Sequence, residues 1–524
     1  MNAPLRRQTL HDILRRSAAR HPARLAVRCG DTQWTYAEFL DVCERLAAGL
    51  HGLGVTAGTH VALLSRNSHA FVAMRFALAR LGAVLVPINF MLKAEDVAYI
   101  LRHSESRMLA VDSEFAATGH QGARASQVRQ FVWLPSEHDR EPMAGMIDFH
   151  DLVRTATTAP EPELQAQALA QIVYTSGTES APKGAMLTHD ALLWEYASCM
   201  AGAEIAGDDL LLHALPLFHC AQLDVFFGPA VQAGASNVIT AQPTPENLLG
   251  LIAQHRITSF FAPPTVWIAL LRSPAFDTTD LGSLRKGYYG ASIMPVEVMR
   301  ELARRLPAVR LWNLYGQTEI APLATILGPD DQLRKPGSCG RAALHVLTRV
   351  VDAAMRDVAP GQVGEIVHRS PHLMTGYYRD PDKSAAAFAG GWFHSGDLGT
   401  IDAEGYIFVV DRMKDMIKSG GENVASREVE EAIYRLPQVS EAAVVGLPHP
   451  RWVEAVTAFV VLKPGQALSA SELLAHCADA LAGFKVPKSA VFLEALPKNP
   501  SGKLLKRRLR EEFAQLYASG DRAA

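Results

Sequence analysis

Two hydrophobic periodicities alternate along the first part of the chain. Residues 60–65 form a short apolar run, residues 70–81 carry apolar side chains at helical spacing, and a second short run follows at 83–87. A strand-length run, a helical stretch and another run make a βαβ unit, which predicts a parallel sheet covered by helices. Further runs at 209–215, 236–240 and 259–262, each separated by a helix-length stretch, predict a second layered subdomain of the same kind. Over 338–410 the strands shorten and glycine and proline intervene, as at 364–368 and 405–410, which predicts a small antiparallel barrel or distorted sheet. After Asp411 the pattern changes again: helix over 426–436, strands over 441–445 and 456–462, helix over 469–483 and strand over 490–493. Ser426, followed by Glu428 and Val429, is placed as the N-cap of the first of these helices. The expected class is therefore α/β. A large N-terminal domain over 1–410, made of two layered α/β subdomains and a small β-barrel, precedes a small α+β C-terminal domain over 411–524.

Length agrees with that division, since 524 residues exceed the roughly 250–300 that one hydrophobic core accommodates. A net charge of −3 offers no basic field, which argues against nucleic-acid partners. The six cysteines are scattered, without a Cys-x-x-Cys pair or zinc-like spacing, and read as reduced thiols. Arg6 and Arg7 are not followed by an apolar stretch, and no run approaches the roughly 18 residues of a membrane span. No transmembrane segment and a cytoplasmic location are expected.

The candidate chemistry centres on residues 174–189, Tyr-Thr-Ser-Gly-Thr-Glu-Ser-Ala-Pro-Lys-Gly-Ala-Met-Leu-Thr-His. Backbone N–H groups freed by small residues, the hydroxyls of Thr175, Ser176 and Thr178, and the Lys183 ammonium can converge on phosphate oxygens. A Walker A loop is excluded, because Pro182 precedes the lysine and Gly184 follows it. A loop of this composition, taken alone, also serves as an ordinary surface turn. Four more segments accompany it: Tyr-Gly-Gln-Thr-Glu at 315–319, Gly-Trp-Phe-His-Ser-Gly-Asp at 391–397, Asp-Arg-Met-Lys-Asp-Met-Ile-Lys-Ser-Gly-Gly-Glu-Asn-Val at 411–424, and Pro-Lys-Asn-Pro-Ser-Gly-Lys at 497–503.

In this order the five segments resemble the signatures of the adenylate-forming superfamily, which includes acyl-CoA synthetases, aryl-CoA ligases, luciferases and peptide-synthetase adenylation domains. The resemblance runs from about residue 10 to about 515. One departure is Glu179-Ser180, where the family usually has Thr-Gly or Ser-Gly; an acid facing inward would repel phosphate, so Glu179 is expected to point outward.

The resemblance implies an AMP-forming acyl-CoA synthetase using ATP, Mg2+ and coenzyme A. It places Thr175, Ser176, Gly177, Thr178 and Lys183 on the β- and γ-phosphates, Thr318 on the α-phosphate, and Thr178 and Glu319 on the metal. Tyr315 would lie against adenine, with Asn313, Gly290, Ala291 and Ser292 lining that ring, and Gly316 and Lys418 join the cofactor-binding set. Asp397 would accept the ribose hydroxyls beside Arg412. Lys503 would bridge the substrate carboxylate and the α-phosphate, although its basic neighbours also suit plain solvated charge. Lys414 takes the hinge position, so the C-terminal domain is expected to be mobile, bringing Gly421 beside the pantetheine; Trp452, Phe484 and Lys485 match coenzyme A contacts. Val453 stands where many relatives have glycine.

Segments 216–224, 263–267 and 320–322 would surround the acyl group. His219 occupies the place where amino-acid-activating relatives usually carry an aspartate, so it implies an uncharged acyl chain and belongs to the catalytic set with Lys503, Thr318 and Glu319. A carboxylic acid substrate is expected, with a medium- or long-chain fatty acid favoured. An aryl-CoA ligase of benzoate or cinnamate type is the alternative, as is an acyl-AMP ligase loading a separate carrier protein; a luciferase-like oxygenase would share every nucleotide motif. A homodimer is compatible with this reading.

Overall fold

The computed structural model describes residues 8–137, 141–154, 158–175, 182–290, 294–413, 415–499 and 504–517. The first βαβ unit forms as the pattern predicts, with strands His60–Leu64 and Val84–Pro87 flanking the helix His69–Leu81. These strands belong to a seven-stranded sheet, parallel throughout except for an edge hairpin of Leu169–Thr175 and Lys183–Thr188. The helix is buried on every side, Arg75 and Arg80 included, because it packs between the two subdomains. An apolar stretch that reads as amphipathic is here a central element, closed by the left-handed Gly82.

The second subdomain is a nine-stranded sheet whose central strands are parallel: Arg310–Tyr315, Lys286–Gly290, Ser259–Phe261, Leu210–His213, Ser236–Ile239 and Leu25–Cys29 in spatial order. The third layer is a four-stranded antiparallel sheet in chain order, Leu347–Val351, Gly364–Arg369, Phe393–Ile401 and Ile407–Arg412. Register shifts between Glu365 and Val367 and between Leu398 and Gly399 give it the distorted form.

Beyond Asp411, a five-stranded sheet is built on one long hairpin, Val439–His449 with Val453–Leu462, packed by helices Ser426–Tyr434, Ala470–Ala480 and Lys506–Glu512. Both hairpin strands exceed the expected ranges. A Cβ at Gly446 would lie 2.9 Å from the Ile417 and Glu454 side chains, so the glycine permits close strand contact within the longer strand. The expected N-cap is corrected as well. Ala425 caps the helix without a side-chain bond, and Ser426 turns back to donate its N–H and its hydroxyl to Asp411 Oδ2, both at 2.7 Å. Pairing with a buried carboxylate outcompetes the local cap.

Candidate active site

A cleft of about 920 Å³ opens where the edge hairpin of the first sheet, the end of strand Arg310–Tyr315, the segment around Tyr377 and the antiparallel sheet converge. Such a crevice outside the carboxyl ends of parallel strands is the usual ligand site of α/β sheets. Thr175, Lys183, His219, Tyr315, Gly316, Thr318, Glu319 and Arg412 all line it. Ser176, Gly177, Thr178, Ala291, Ser292, Lys414 and Lys503 lie outside the described residues.

Asp397 stands immediately behind this lining, 3% exposed. Its Oδ2 accepts from the Tyr315 hydroxyl and from Gln317 Nε2, each at 2.7 Å, while Arg412 Nε lies 3.3 Å from Oδ1. Burial first, and the Asp397 charge next, push the Tyr315 phenol well above its ordinary range, so it stays a neutral donor. The sequence reading missed Gln317, although it lies inside the quoted motif. Its amide donates to both partners, while its Oε1 is buried and bonded to no described group. Gly316 is obligatory: a Cβ there would sit 1.8 Å from the Pro322 carbonyl oxygen. Gly290 is similarly close to its neighbouring strand, with Leu314 O at 2.3 Å from a built Cβ, and Asn313 Nδ2 donates to Ser338 O at 3.0 Å.

Across the cleft, Glu319 sits in the short turn Thr318–Ile320. Tyr377 donates its hydroxyl to Glu319 Oε1 at 2.9 Å, and Lys183 Nζ lies 4.8 Å from the centre of the same ring. The backbone repeats the link: Met374 N–H donates to Glu319 O and Tyr378 N–H to Gly184 O. Tyr377 therefore couples the lysine of the phosphate loop to the acid of the second motif. Nothing in the residues around it announced this role except two adjacent tyrosines after Gly376.

The segment expected to wall the acyl group contains a π-helical turn, Ala221–Phe227, from which Ala221, Val225 and Phe226 face the cleft. Phe226 stacks on Phe261 with ring centres 4.4 Å apart and tilts against Tyr288. His219 Nδ1 accepts from the Ala221 N–H at 3.1 Å. Thr318 Oγ1 and Cys220 Sγ lie 3.2 Å apart, and burial pushes that thiol up.

Lys418, Gly421, Trp452, Phe484 and Lys485 do not join this lining; from residues 411–524, Arg412 and Asn499 do among the described residues. Gly420 and Gly421 adopt φ of 61° and 89°, and Gly420 N–H donates to Trp452 O. Arg451 and Lys488 flank the Trp452 ring at 4.6 and 5.0 Å. Phe484 is exposed, the Lys418 N–H donates to Glu454, and Lys485 is paired with Glu428 at 2.7 Å. Val453, beside Trp452, holds φ at 67°, a left-handed conformation unusual for a β-branched residue.

This donor set suits a magnesium nucleotide. Among the described residues no group of three or more His, Cys, Asp or Glu could hold a metal by itself, and magnesium ordinarily takes one or two carboxylates with substrate phosphates. Glu319 would supply the carboxylate, Lys183 and Thr175 line the same cleft and would face the phosphates, and Gln317 Oε1, without a partner among the described residues, would offer an acceptor to a nucleotide hydroxyl or amine. No helix among the described residues is long and apolar enough to cross a membrane.

Two family profiles match the chain: AMP-binding enzyme over residues 14–378 and AMP-binding enzyme C-terminal domain over 428–503. A feruloyl-CoA synthase of Amycolatopsis sp is 37% identical over 510 residues, covering 97% of this chain and 100% of that protein. The long-chain-fatty-acid–CoA ligase of Mycobacterium tuberculosis is 34% identical over 490 residues, covering 92% and 94%. The crystal structure of an anthranilate CoA ligase in complex with anthranoyl-AMP superposes with a TM-score of 0.91 at 28% identity, over 99% of this chain and 100% of that one.

Proposed function

Because the chain belongs to the AMP-binding enzyme family, and is an AMP-forming acid–thiol ligase that uses ATP, Mg2+ and coenzyme A, we propose that its acid substrate is a flat aryl carboxylic acid. The observation that carries this reading is the aromatic part of the cleft lining. Phe226, 1% exposed, stacks on Phe261, itself 3% exposed, and both line the cleft, so the wall offers a planar ring aromatic surface to pack on. The feruloyl and anthranilate relatives agree with it.

In this proposal Thr175, Ser176, Gly177, Thr178 and Lys183 hold the phosphates and offset their charge while the carboxylate attacks the α-phosphorus and pyrophosphate leaves. Glu319 and Thr178 hold the magnesium ion, whose part is to neutralise phosphate charge. Tyr315, Asn313 and residues 290–292 hold the base; Asp397, Gln317 and Arg412 hold the ribose. Lys503 bridges carboxylate and α-phosphate, after which the coenzyme A thiolate attacks the acyl carbon and AMP departs. The two steps need different partners at one site, so residues 411–524 swing about Lys414 to bring Lys418, Gly421, Trp452, Phe484 and Lys485 toward coenzyme A. Homodimerisation and a cytoplasmic location complete the proposal.

A fatty acid is the second reading. It is supported by the uncharged wall of Val225, Leu314, Pro322 and Leu323 and by the fatty-acid–CoA ligase relative. Each buried methylene would then add about 0.8 kcal/mol, roughly fourfold in efficiency, until the compartment fills. A panel of ferulate, benzoate, octanoate and dodecanoate, assayed for AMP release with and without coenzyme A, separates the readings. Aryl acids should win by about tenfold or more; a stepwise rise with chain length would reverse the assignment and leave the ligase chemistry intact.

A further inference from the structure

Behind the acyl wall lies a charged cluster that the adenylation chemistry does not use. Arg75 and Asp224 form an ion pair with side chains 1% and 0% exposed. Arg75 Nη1 donates to Gln171 Oε1 at 2.6 Å, and Gln171 Nε2 donates to Asp224 Oδ2 at 2.7 Å. Tyr196 closes the cluster, accepting from Arg75 Nη2 at 2.6 Å and donating to Asp224 Oδ1 at 3.3 Å. Four elements meet there: the central helix His69–Leu81, strand Leu169–Thr175 that leads into the phosphate loop, helix His189–Gly202, and the π-turn Ala221–Phe227.

A buried pair is a poor source of stability, since apolar residues of similar volume commonly replace one at no loss. It excels at fixing a geometry, and the geometry here is unusual. A π-turn bulges relative to an α-turn, is rare, and is found frequently at functional sites. Its two polar side chains both point away from the cleft and are anchored: Asp224 as above, and Gln222 by accepting from Leu215 N–H and donating to His213 Nδ1. On either side of these anchors, Ala221, Val225 and Phe226 are presented to the cleft.

We propose that the Arg75–Asp224 pair is a specificity-determining positioning device: by pinning the π-turn it sets how far Val225 and Phe226 stand into the acyl compartment, and so which acids fit. The proposal rests on the reading that the acid binds against this wall. Neither residue touches substrate. Without the pair, the turn is free to relax toward α-helical spacing, rotating Val225 and Phe226 and reshaping the compartment.

The test compares the enzyme with Asp224→Asn and with the paired variant Arg75→Met/Asp224→Leu, which removes both charges of the pair together. Efficiencies are measured for ferulate, benzoate, butyrate and octanoate, with KM for ATP and the melting curve as controls. The expected result is a folded paired variant whose KM for ATP stays within about twofold while the efficiency ratios among acids shift by about tenfold or more. Losses uniform across all acids, or unchanged ratios, would overturn the proposal. Insolubility of the paired variant would overturn it too, because the pair would then be a folding requirement. Should the unmodified enzyme reject both aryl acids, the aryl reading fails, while the ratio of octanoate to butyrate still reports on the pair.

Discussion

Tyr377→Phe isolates one hydrogen bond at the centre of the proposed nucleotide site. The substitution removes the hydroxyl that reaches Glu319 Oε1 at 2.9 Å and keeps the ring that faces Lys183 Nζ at 4.8 Å. A hydrogen bond to a charged group is worth about 1.5–3 kcal/mol. The cation–π contact, about 0.5–2 kcal/mol, survives. Burial, with the Glu319 charge second, pushes the Tyr377 phenol above its ordinary range, so the lost group is a neutral donor and no titration is introduced. If that bond holds the Glu319 carboxylate in its metal-binding orientation, the loss corresponds to roughly a tenfold to hundredfold fall in efficiency toward MgATP. ATP–pyrophosphate exchange measured across a magnesium titration reads it directly, with the half-saturating magnesium concentration expected to rise and the KM for acid unchanged. Isothermal titration of ATP with and without magnesium gives a binding readout independent of turnover. Full exchange activity with an unaltered magnesium dependence would refute the reasoning, since Tyr377 would then be a spectator packed beside Glu319.

Gly316→Ala should abolish exchange while leaving the C-terminal sheet folded, because its Cβ would meet the Pro322 carbonyl at 1.8 Å and force the Tyr315–Glu319 motif apart; circular dichroism with an exchange assay checks both halves. Val453→Gly should stabilise the C-terminal region by about 0.5–1 kcal/mol, the left-handed strain of about 1–2 kcal/mol less the entropic cost of glycine, read as greater hydrogen-exchange protection of strand Val453–Leu462. Lys503→Ala should lower acyl-AMP formation by about a hundredfold or more and spare thioester formation from presynthesised acyl-AMP, whereas Lys414→Pro should do the reverse. Equal loss of both half-reactions in either variant would contradict that division.

Contiguous features were legible in the chain alone. The segments 174–189, 315–319 and 391–397 are short strings whose proposed chemistry is local, and the alternation of strand and helix periods was enough for the layered α/β class. Long-range pairing was not legible, because periodicity says which face of an element is apolar and nothing of what covers it. Strand Leu25–Cys29 is the first described strand in the sequence yet pairs with Ser236–Ile239 in the second sheet. The helix over His69–Leu81 became a fully buried element only once a second subdomain closed over it. Polar partners were decided the same way. Ser426 left its expected cap for Asp411, and Arg75 found Asp224 across 149 residues. In each case a group removed from water takes the counter-charge or acceptor that the fold delivers, and the separation in sequence plays no part in that choice. What the chain determined by itself was thus the chemistry available. Which of those groups face one another, and so Tyr377 between Lys183 and Glu319, was decided by tertiary packing, because burial enforces partners that local sequence cannot specify.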